Sequence, residues 1–253
     1  MTTALHGERS SARGVLVRAV AVPRTNALLA AVPSRDRARL ARLLRPVLLT
    51  SGEVLHDATL IRHVYFPVDC LVSLLAPLKD HLAVEVGVVG SEGMVGVPLA
   101  LGVRTSAVQA LVQGSGTALR MEASCFQREL KRNTALQTGI HRYIHSLMGQ
   151  LVQTAACNAF HSIEARCARW LLMTHDRMQS DEVEITHEFL ARMLGVRRVG
   201  VTVAAGNLQR QGLIAYSRGH IVILDPDRLA CVACECYAVV KHLYDRPPPR
   251  LKE

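Results

Sequence analysis

The sequence has few aromatic residues and no long apolar run. Phe, Trp and Tyr make up only 4% of the 253 residues, too few for the serial base stacking by which proteins bind single-stranded nucleic acid. The uncharged stretch Thr105–Leu119 is 15 residues long and still contains Thr, Ser, Gln and Gly, which argues against a membrane-spanning helix. We therefore expect no membrane partner, and duplex DNA is favoured if the partner is a nucleic acid.

Common enzyme motifs are also missing. The phosphate-binding P-loop, the Gly-x-Ser-x-Gly elbow and the His-Glu-x-x-His zinc motif do not occur, so we predict that the protein is not an enzyme. Its seven cysteines are an odd number and are scattered along the chain. This usage favours a reducing cytoplasm over a disulfide framework.

Positive charge is concentrated at the beginning of the chain. The formal net charge is +9, and residues 1–45 carry nine Arg against two acids, a balance of +7. Residues 46–160 are neutral and residues 161–253 carry +2. We interpret residues 1–25 as a flexible basic extension and residues 246–253 as a tail.

The hydrophobic pattern predicts an α+β protein with three structured parts. Residues 26–125 begin with short helices and continue as short β-rich segments between glycines, which is typical of a compact β-roll. The pattern then turns helical over residues 126–160 and predicts a C-terminal helical domain over residues 161–245. The predicted strands are Val47–Thr50, Val54–His56, Val64–Phe66, Leu71–Leu78, Leu82–Val89, Ala107–Val112 and Ala118–Met121.

Within residues 126–160, mostly apolar residues recur at alternating spacings of four and three residues and would form one narrow stripe along a helix. A strict stripe of this kind favours a helix–helix seam, so we expect it to join two copies of the chain, with Asn158 setting the register. A helix packed on its own β-roll is the alternative. The stripe consists of Ile140, Ile144, Leu147, Leu151, Thr154 and Asn158.

The stretch from Thr186 to Leu224 predicts a winged helix–turn–helix. Thr186 is a good N-cap, Gly195 supplies a sharp turn, a second helix covers Arg197–Gln211, and a hairpin follows. The second helix would present Arg197, Arg198 and Thr202 to base edges or phosphates. Thr186, Ser217, Arg218 and His220 are candidates for backbone contacts. An ordinary helical hairpin with solvated arginines is the other interpretation.

These motifs resemble the cyclic-AMP receptor/Fnr (Crp–Fnr) family of bacterial transcription regulators. The resemblance runs from about Asn26 to Asp245 and is strongest over Ile185-Thr186, Leu194-Gly195, Arg198, Val201 and Leu208–Ile214. It implies a homodimer whose two recognition helices enter successive major grooves of a near-palindromic site, with Thr186 on phosphate and Arg198 on a base. It also implies RNA polymerase as a further partner.

The recognition helix departs from the family pattern. Well-known members carry Glu directly after the base-reading Arg and a second Arg four residues further on, where this chain has Val199 and Val203. Arg198 still suits guanine, whereas Glu-to-cytosine readout is lost, so we expect a different operator. The alternative function is a ligand- or partner-binding regulatory protein whose helix–turn–helix has lost operator specificity.

The β-roll departs further. Cyclic-nucleotide binders of the family hold the ribose with Gly-Glu and the phosphate with Arg-Ser-Ala, but Val97 follows Gly96 here, and Arg104 is one residue out of step. A Gly-rich turn with one Arg still suits an anion. The candidate pocket is Gly93, Gly96, Arg104, Thr105 and Ser106. A cyclic nucleotide is possible but disfavoured, and no cofactor is certain.

We predict no metal site. Iron–sulfur sensing in this family uses clustered N-terminal cysteines, but the first cysteine here is Cys70. Cys231, Cys234 and Cys236 fall on a predicted terminal helix, Asp227–Leu243, where they could not converge on one ion without a fourth ligand and an unwound helix. We interpret them as small buried hydrophobic residues. His141 and His145 are one helical turn apart and could bind a metal together, but we interpret them as a solvated or phosphate-facing pair.

Overall fold

A computed structural model describes residues 25–79 and 83–245 of the chain. These residues form a β-rich domain, a long central helix and a C-terminal winged helix–turn–helix, in that order, which confirms the predicted α+β class and architecture. Two helices, α1 (Ala27–Ala30) and α2 (Ser34–Ala41), precede the first strand. Most of the predicted N-terminal extension, Leu82 of one predicted strand and the predicted tail lie outside the described residues.

The β-rich domain consists of two antiparallel sheets with strand orders β1-β7-β3 and β2-β6-β4-β5. Apolar side chains fill the space between the sheets and the neighbouring helices; the rings of Phe66 and Phe126, for example, lie 6.5 Å apart. The strands are β1 (Arg45–Leu49), β2 (Val54–His56), β3 (His63–Pro67), β4 (Leu71–Pro77), β5 (Ala83–Val89), β6 (Gln109–Gly114) and β7 (Gly116–Glu122). Every predicted strand therefore has an observed counterpart.

The helical segment predicted over residues 126–160 is divided in two. Helix α3 (Ala123–Arg132) ends at Asn133, whose extended backbone interrupts the helical hydrogen bonds. The Asn133 side chain then caps α4 (Thr134–Phe160) by accepting a hydrogen bond from the backbone N–H of Leu136 at 2.9 Å. Of the helices in the described part of the chain, none is both long and apolar enough to span a bilayer.

The C-terminal part begins with α5 (Ile163–Met178) and contains the three-stranded sheet β8-β10-β9. Strand β8 was not predicted, because Val183 is its only apolar residue. The predicted terminal helix over residues 227–243 is wrong, because its backbone becomes extended at Ala233. The elements after α5 are β8 (Glu182–Glu184), α6 (His187–Leu194), α7 (Arg198–Arg210), β9 (Ile214–Ser217), β10 (His220–Ile223), α8 (Pro226–Val232) and α9 (Cys236–Asp245).

A buried carboxyl group joins the β-rich domain to the C-terminal domain. Glu85 on β5 accepts a hydrogen bond from Trp170 Nε1 of α5 at 2.9 Å and another from Ser73 Oγ of β4 at 2.7 Å. Burial raises the pKa of Glu85 to about 7, although both hydrogen bonds and the charges of Arg169 and Arg177 oppose the shift. We therefore expect the contact between the two domains to weaken as Glu85 ionises near neutral pH.

We predict that stability falls as pH rises through neutrality. A carboxyl pKa that is higher in the folded state gives stability that is complete below the unfolded value and is lost as pH approaches the folded value. From pH 5 to pH 8 the free energy of unfolding should fall by about 3 kcal/mol from this group. Glu85→Gln should remove that decrease, because an amide does not ionise. Urea unfolding of both proteins at the two pH values measures it.

Glu122→Gln is the matched control, since Glu122 is an exposed carboxylate in the same domain. It should leave the pH dependence as in the unsubstituted protein. If Glu85→Gln retains the full pH dependence, burial of Glu85 is not its source.

Candidate nucleic-acid interface

The first helix of the helix–turn–helix is defined by its two ends. Thr186 Oγ1 accepts a hydrogen bond from the backbone N–H of Phe189 at 3.2 Å, which caps α6 as predicted. Gly195 ends the helix with φ +63°, a left-handed conformation. A Cβ atom at Gly195 would lie 2.9 Å from Val84 Cγ2 of β5, so this turn also needs glycine because the β-rich domain approaches it closely.

The recognition helix α7 presents two neighbouring arginines at its beginning. Arg197 immediately precedes the helix, Arg198 is its first residue, and both are exposed. The opposite face packs into the core through Val201, Ala204, Ala205 and Leu208. The structure therefore places the two arginines as the sequence predicted, on the outward face at the N-terminal end of the helix.

The wing is a tight hairpin of β9 and β10. Ser217 pairs with His220, and the two residues between them have positive φ, +46° at Arg218 and +84° at Gly219. This is a two-residue turn of the type that matches the twist of paired strands. Ser217 and Arg218 are exposed at its tip, whereas His220 is half-buried with Nε2 3.5 Å from Glu182 Oε2. The tip of the wing and the beginning of α7 therefore both present exposed arginines.

Charge at this surface is not neutralised by the protein itself. Residues 186–220 contain five Arg and one Glu next to the helix ends. Within residues 25–79 and 83–245, no carboxylate lies within ion-pair distance of Arg197, Arg198 or Arg218. Exposed, unpaired guanidinium groups at a helix N-terminus suit phosphate and base-edge acceptors.

His187, which the sequence did not single out, connects three elements of this surface. Its ring stacks on Tyr216 of the wing at 4.0 Å between centroids, and its Nδ1 lies 3.1 Å from Thr202 Oγ1 of α7. Burial, with a smaller effect from the charge of Arg198, lowers the pKa of His187. The Thr202 hydroxyl also donates to the backbone oxygen of Arg198 at 3.1 Å, so this predicted base contact has its hydroxyl engaged within the protein.

A buried arginine fixes the helix–turn–helix relative to α4. Arg166 of α5 donates hydrogen bonds from Nη2 to the backbone oxygen of Leu194, the last residue of α6, and to Asn158 Oδ1 of α4 at 2.8 Å. Burial lowers the pKa of Arg166. The Asn158 side chain thus serves this contact within the chain.

The predicted dimer seam lies largely against its own chain. Ile140, Leu147 and Thr154 are buried within the single chain; the two apolar side chains belong to the core of the β-rich domain. Ile144 and Leu151 are half-buried against the same core, and Asn158 is exposed. The alternative interpretation, a helix packed on its own β-roll, therefore describes this face of α4.

The candidate ligand pocket is divided between buried and exposed positions. Gly93 lies directly under the ring of Tyr143 from α4, since a Cβ atom there would be 2.2 Å from Tyr143 Cε2. Gly96 is buried with φ +97°, and the Ser106 hydroxyl donates to the backbone oxygen of Val108 at 2.7 Å. Arg104 and Thr105 are exposed. The two glycines thus allow close packing inside the β-rich domain, whereas Arg104 lies at its surface.

Residues 165–232 match the family described as the Crp-like helix-turn-helix domain. The matched segment contains α6, the Gly195 turn, α7 and the wing. A search of curated protein sequences found no match.

Solved structures share the fold of this protein over about three-quarters of the chain. FixK2 of Bradyrhizobium japonicum has a TM-score of 0.64 at 13% identity, covering 76% of this chain and 98% of that one. TTHB099, a transcriptional regulator of the CRP family from Thermus thermophilus, has a TM-score of 0.62 at 21% identity, covering 74% of this chain and 96% of that one. The c-di-GMP-responsive regulator CLP of Xanthomonas campestris has a TM-score of 0.59 at 17% identity, covering 76% of this chain and 99% of that one. These likenesses concern the fold.

We predict that Gly195→Ala lowers the free energy of unfolding by about 1–2 kcal/mol, because a left-handed backbone conformation disfavours a side chain. The added methyl group would also press on Val84. Gly206→Ala is the control: Gly206 lies within α7 with open space around its Cβ position. Alanine there should be neutral or stabilising by up to about 1 kcal/mol. Urea unfolding measures both, and equal effects would contradict the assigned role of Gly195.

Proposed function

We propose that this Crp–Fnr family protein regulates transcription by binding a near-palindromic duplex DNA site as a homodimer. The family that the sequence resemblance predicted is supported by the Crp-like helix-turn-helix domain matched at residues 165–232, and the fold of the chain is that of the similar solved structures. The observation that carries the proposal is the exposed, unpaired pair Arg197 and Arg198 at the beginning of α7.

Arg198 is proposed to read a base and Arg197 a base or phosphate. A guanidinium group pairs with the O6 and N7 acceptors of guanine in the major groove. At the wing tip, the exposed Ser217 and Arg218 suit the DNA backbone. Thr186 suits a phosphate at the other helix, and its exposure supports that role. Thr202 would contribute its methyl group, since its hydroxyl already bonds within the chain.

Two exposed valines of α7 are proposed to determine part of the base preference at the operator. Val199 and Val203 lie one helical turn apart on the exposed face of α7. Apolar side chains in the major groove discriminate thymine by contact with its C5 methyl group. A half-site with a guanine next to thymines would therefore suit this helix.

The dimer is proposed to form through a second stripe of residues on α4. Each residue of this stripe follows a residue of the predicted seam by one position, so the stripe lies about 100° further around the helix. Met148, Val152 and Phe160 are apolar and exposed on α4, and the small residues Ala155 and Ala159 lie among them. Positions 148, 152, 155 and 159 repeat the four-and-three spacing of a two-helix seam. The homodimer proposal thus rests on a different set of residues from the predicted one.

The proposed setting is the cytoplasm, with RNA polymerase as a partner. All seven cysteines are free thiols, which fits a reducing compartment. The polymerase partner follows from the family resemblance.

The decisive test selects bound sequences from a random duplex pool. We predict a two-fold symmetric site containing guanine, whose affinity falls by about 1–3 kcal/mol in Arg198→Ala, with specificity relaxed at one base pair of each half-site. Arg210→Ala is the matched control, because Arg210 is an exposed arginine at the other end of the same helix. Titration of the selected duplex and a random duplex at physiological salt measures the specificity ratio.

A ratio near one would favour the alternative function, a ligand- or partner-binding regulator without operator specificity. An equal loss on both duplexes in Arg198→Ala would make Arg198 a phosphate contact.

The dimer proposal predicts that Val152→Glu raises the dimer dissociation constant at least tenfold, because two unpaired carboxylates would be buried in the seam. Leu48→Glu is the control: Leu48 is 78% exposed on β1, while Val152 is 69% exposed on α4. Sedimentation velocity over a concentration series measures both. An unsubstituted protein that stays monomeric, or equal effects of the two substitutions, would overturn the proposed seam.

A further inference from the structure

Four potential metal ligands converge where α4 ends. Cys157 belongs to the last turn of α4 and His161 follows that helix directly, whereas Cys234 lies between α8 and α9 and Cys236 is the first residue of α9. One sulfur or nitrogen atom from each of the four residues lies within 4.8 Å of each of the others. Segments 77 residues apart thus meet in one cluster.

The distances suit a single tetrahedral ion. The Sγ atoms of Cys157 and Cys234 are 3.5 Å apart, and Cys236 Sγ is 3.4 Å from His161 Nδ1. A zinc ion with Zn–S bonds of about 2.3 Å holds its thiolates roughly 3.8 Å apart. An iron–sulfur cluster requires wider spacing, because its four protein ligands are divided among two or more iron atoms around an inorganic sulfide core.

A break in the backbone between α8 and α9 brings Cys234 and Cys236 together, which a single continuous helix would not do. The chain is extended at Ala233 and turns helical again at Cys236, so Cys234 and Cys236 approach Cys157 together. All three cysteines are buried. Cys231, which remains within α8, is exposed and lies outside the cluster.

Neighbouring side chains are arranged as they are around bound metals. His161 Nε2 lies 3.1 Å from Glu235 Oε1, which leaves Nδ1 facing the three sulfurs. A carboxylate behind a metal-binding histidine fixes its tautomer and orientation. On the other side, Gln153 Nε2 donates to Cys236 Sγ at 3.1 Å, a bond that favours a thiolate acceptor.

We propose that Cys157, His161, Cys234 and Cys236 form a structural Zn²⁺ site. Three Cys and one His complete a tetrahedral shell, as in closed structural zinc sites. The ion connects the end of α4 to the junction between α8 and α9, next to Ser162, the residue that caps α5. It therefore fixes the direction in which the C-terminal domain leaves the central helix.

The test uses the full chain, stripped of metal by a chelator under reducing conditions and then titrated with Co²⁺ alone. We expect about one Co²⁺ per chain, with the visible d–d bands of a tetrahedral thiolate site, and displacement of Co²⁺ by Zn²⁺. Cys157→Ser and Cys234→Ser should lose these bands. Cys231→Ser, the matched control, should keep them, since Cys231 lies three residues from Cys234 but outside the cluster.

Glu235→Gln tests the site without altering a ligand or the buried core, because the Glu235 side chain is exposed. It should retain the bands and weaken Zn²⁺ binding by about 10–100-fold.

Three results would overturn the proposal. They are the absence of tetrahedral Co²⁺ bands in the unsubstituted chain, equal binding by Cys157→Ser and Cys231→Ser, and a Cys157–Cys234 disulfide that dissolved O₂ forms, once the reductant is removed, in place of metal binding when Zn²⁺ is present.

Discussion

The guanidinium group of Arg166 is buried where three helices meet, and the placement of the recognition helix depends on it. It lies on α5, satisfies the last carbonyl of α6 and bonds to Asn158 of α4. A cation at a helix C-terminus is favoured by the helix dipole and by the carbonyl groups left unpaired there. The two hydrogen bonds from Nη2 offset part of the loss of hydration, whereas the buried Nε has no partner among the described residues. Together the two bonds connect the DNA-binding domain to the end of the central helix.

The helix–turn–helix could be predicted from sequence because its signals are local. An N-cap at Thr186, a positive-φ glycine at Gly195 and an apolar face on each helix lie within a few residues of the atoms they affect. Arg197 and Arg198 were predicted for the same reason. Short apolar runs and their alternation likewise predicted the strands of the β-rich domain, including the three-residue β2, whereas β8 has a single apolar residue, Val183, between two glutamates.

Partners distant in sequence were harder to predict. The spacing of Ile140, Leu147 and Thr154 identifies an apolar face of α4, but periodicity does not say whether the chain itself or a second copy covers that face. Here the β-rich domain covers most of it. The cysteine cluster needs a helix that ends at Val232 and a histidine 73 residues before Cys234, and neither is a local signal. His187 was missed because nothing in its sequence position indicates that it stacks on Tyr216.

Arg218 at the tip of the wing has a backbone conformation that suits other residues better. Its φ of +46° costs an ordinary L-amino acid roughly 1–2 kcal/mol, a penalty that Gly avoids and Asn reduces. No carboxylate in the described part of the chain compensates Arg218 with an ion pair. Selection of variants for thermal stability alone would therefore replace this arginine, whereas the proposed contact with the DNA backbone would retain it. Under that proposal, folding and binding favour different residues at this single position.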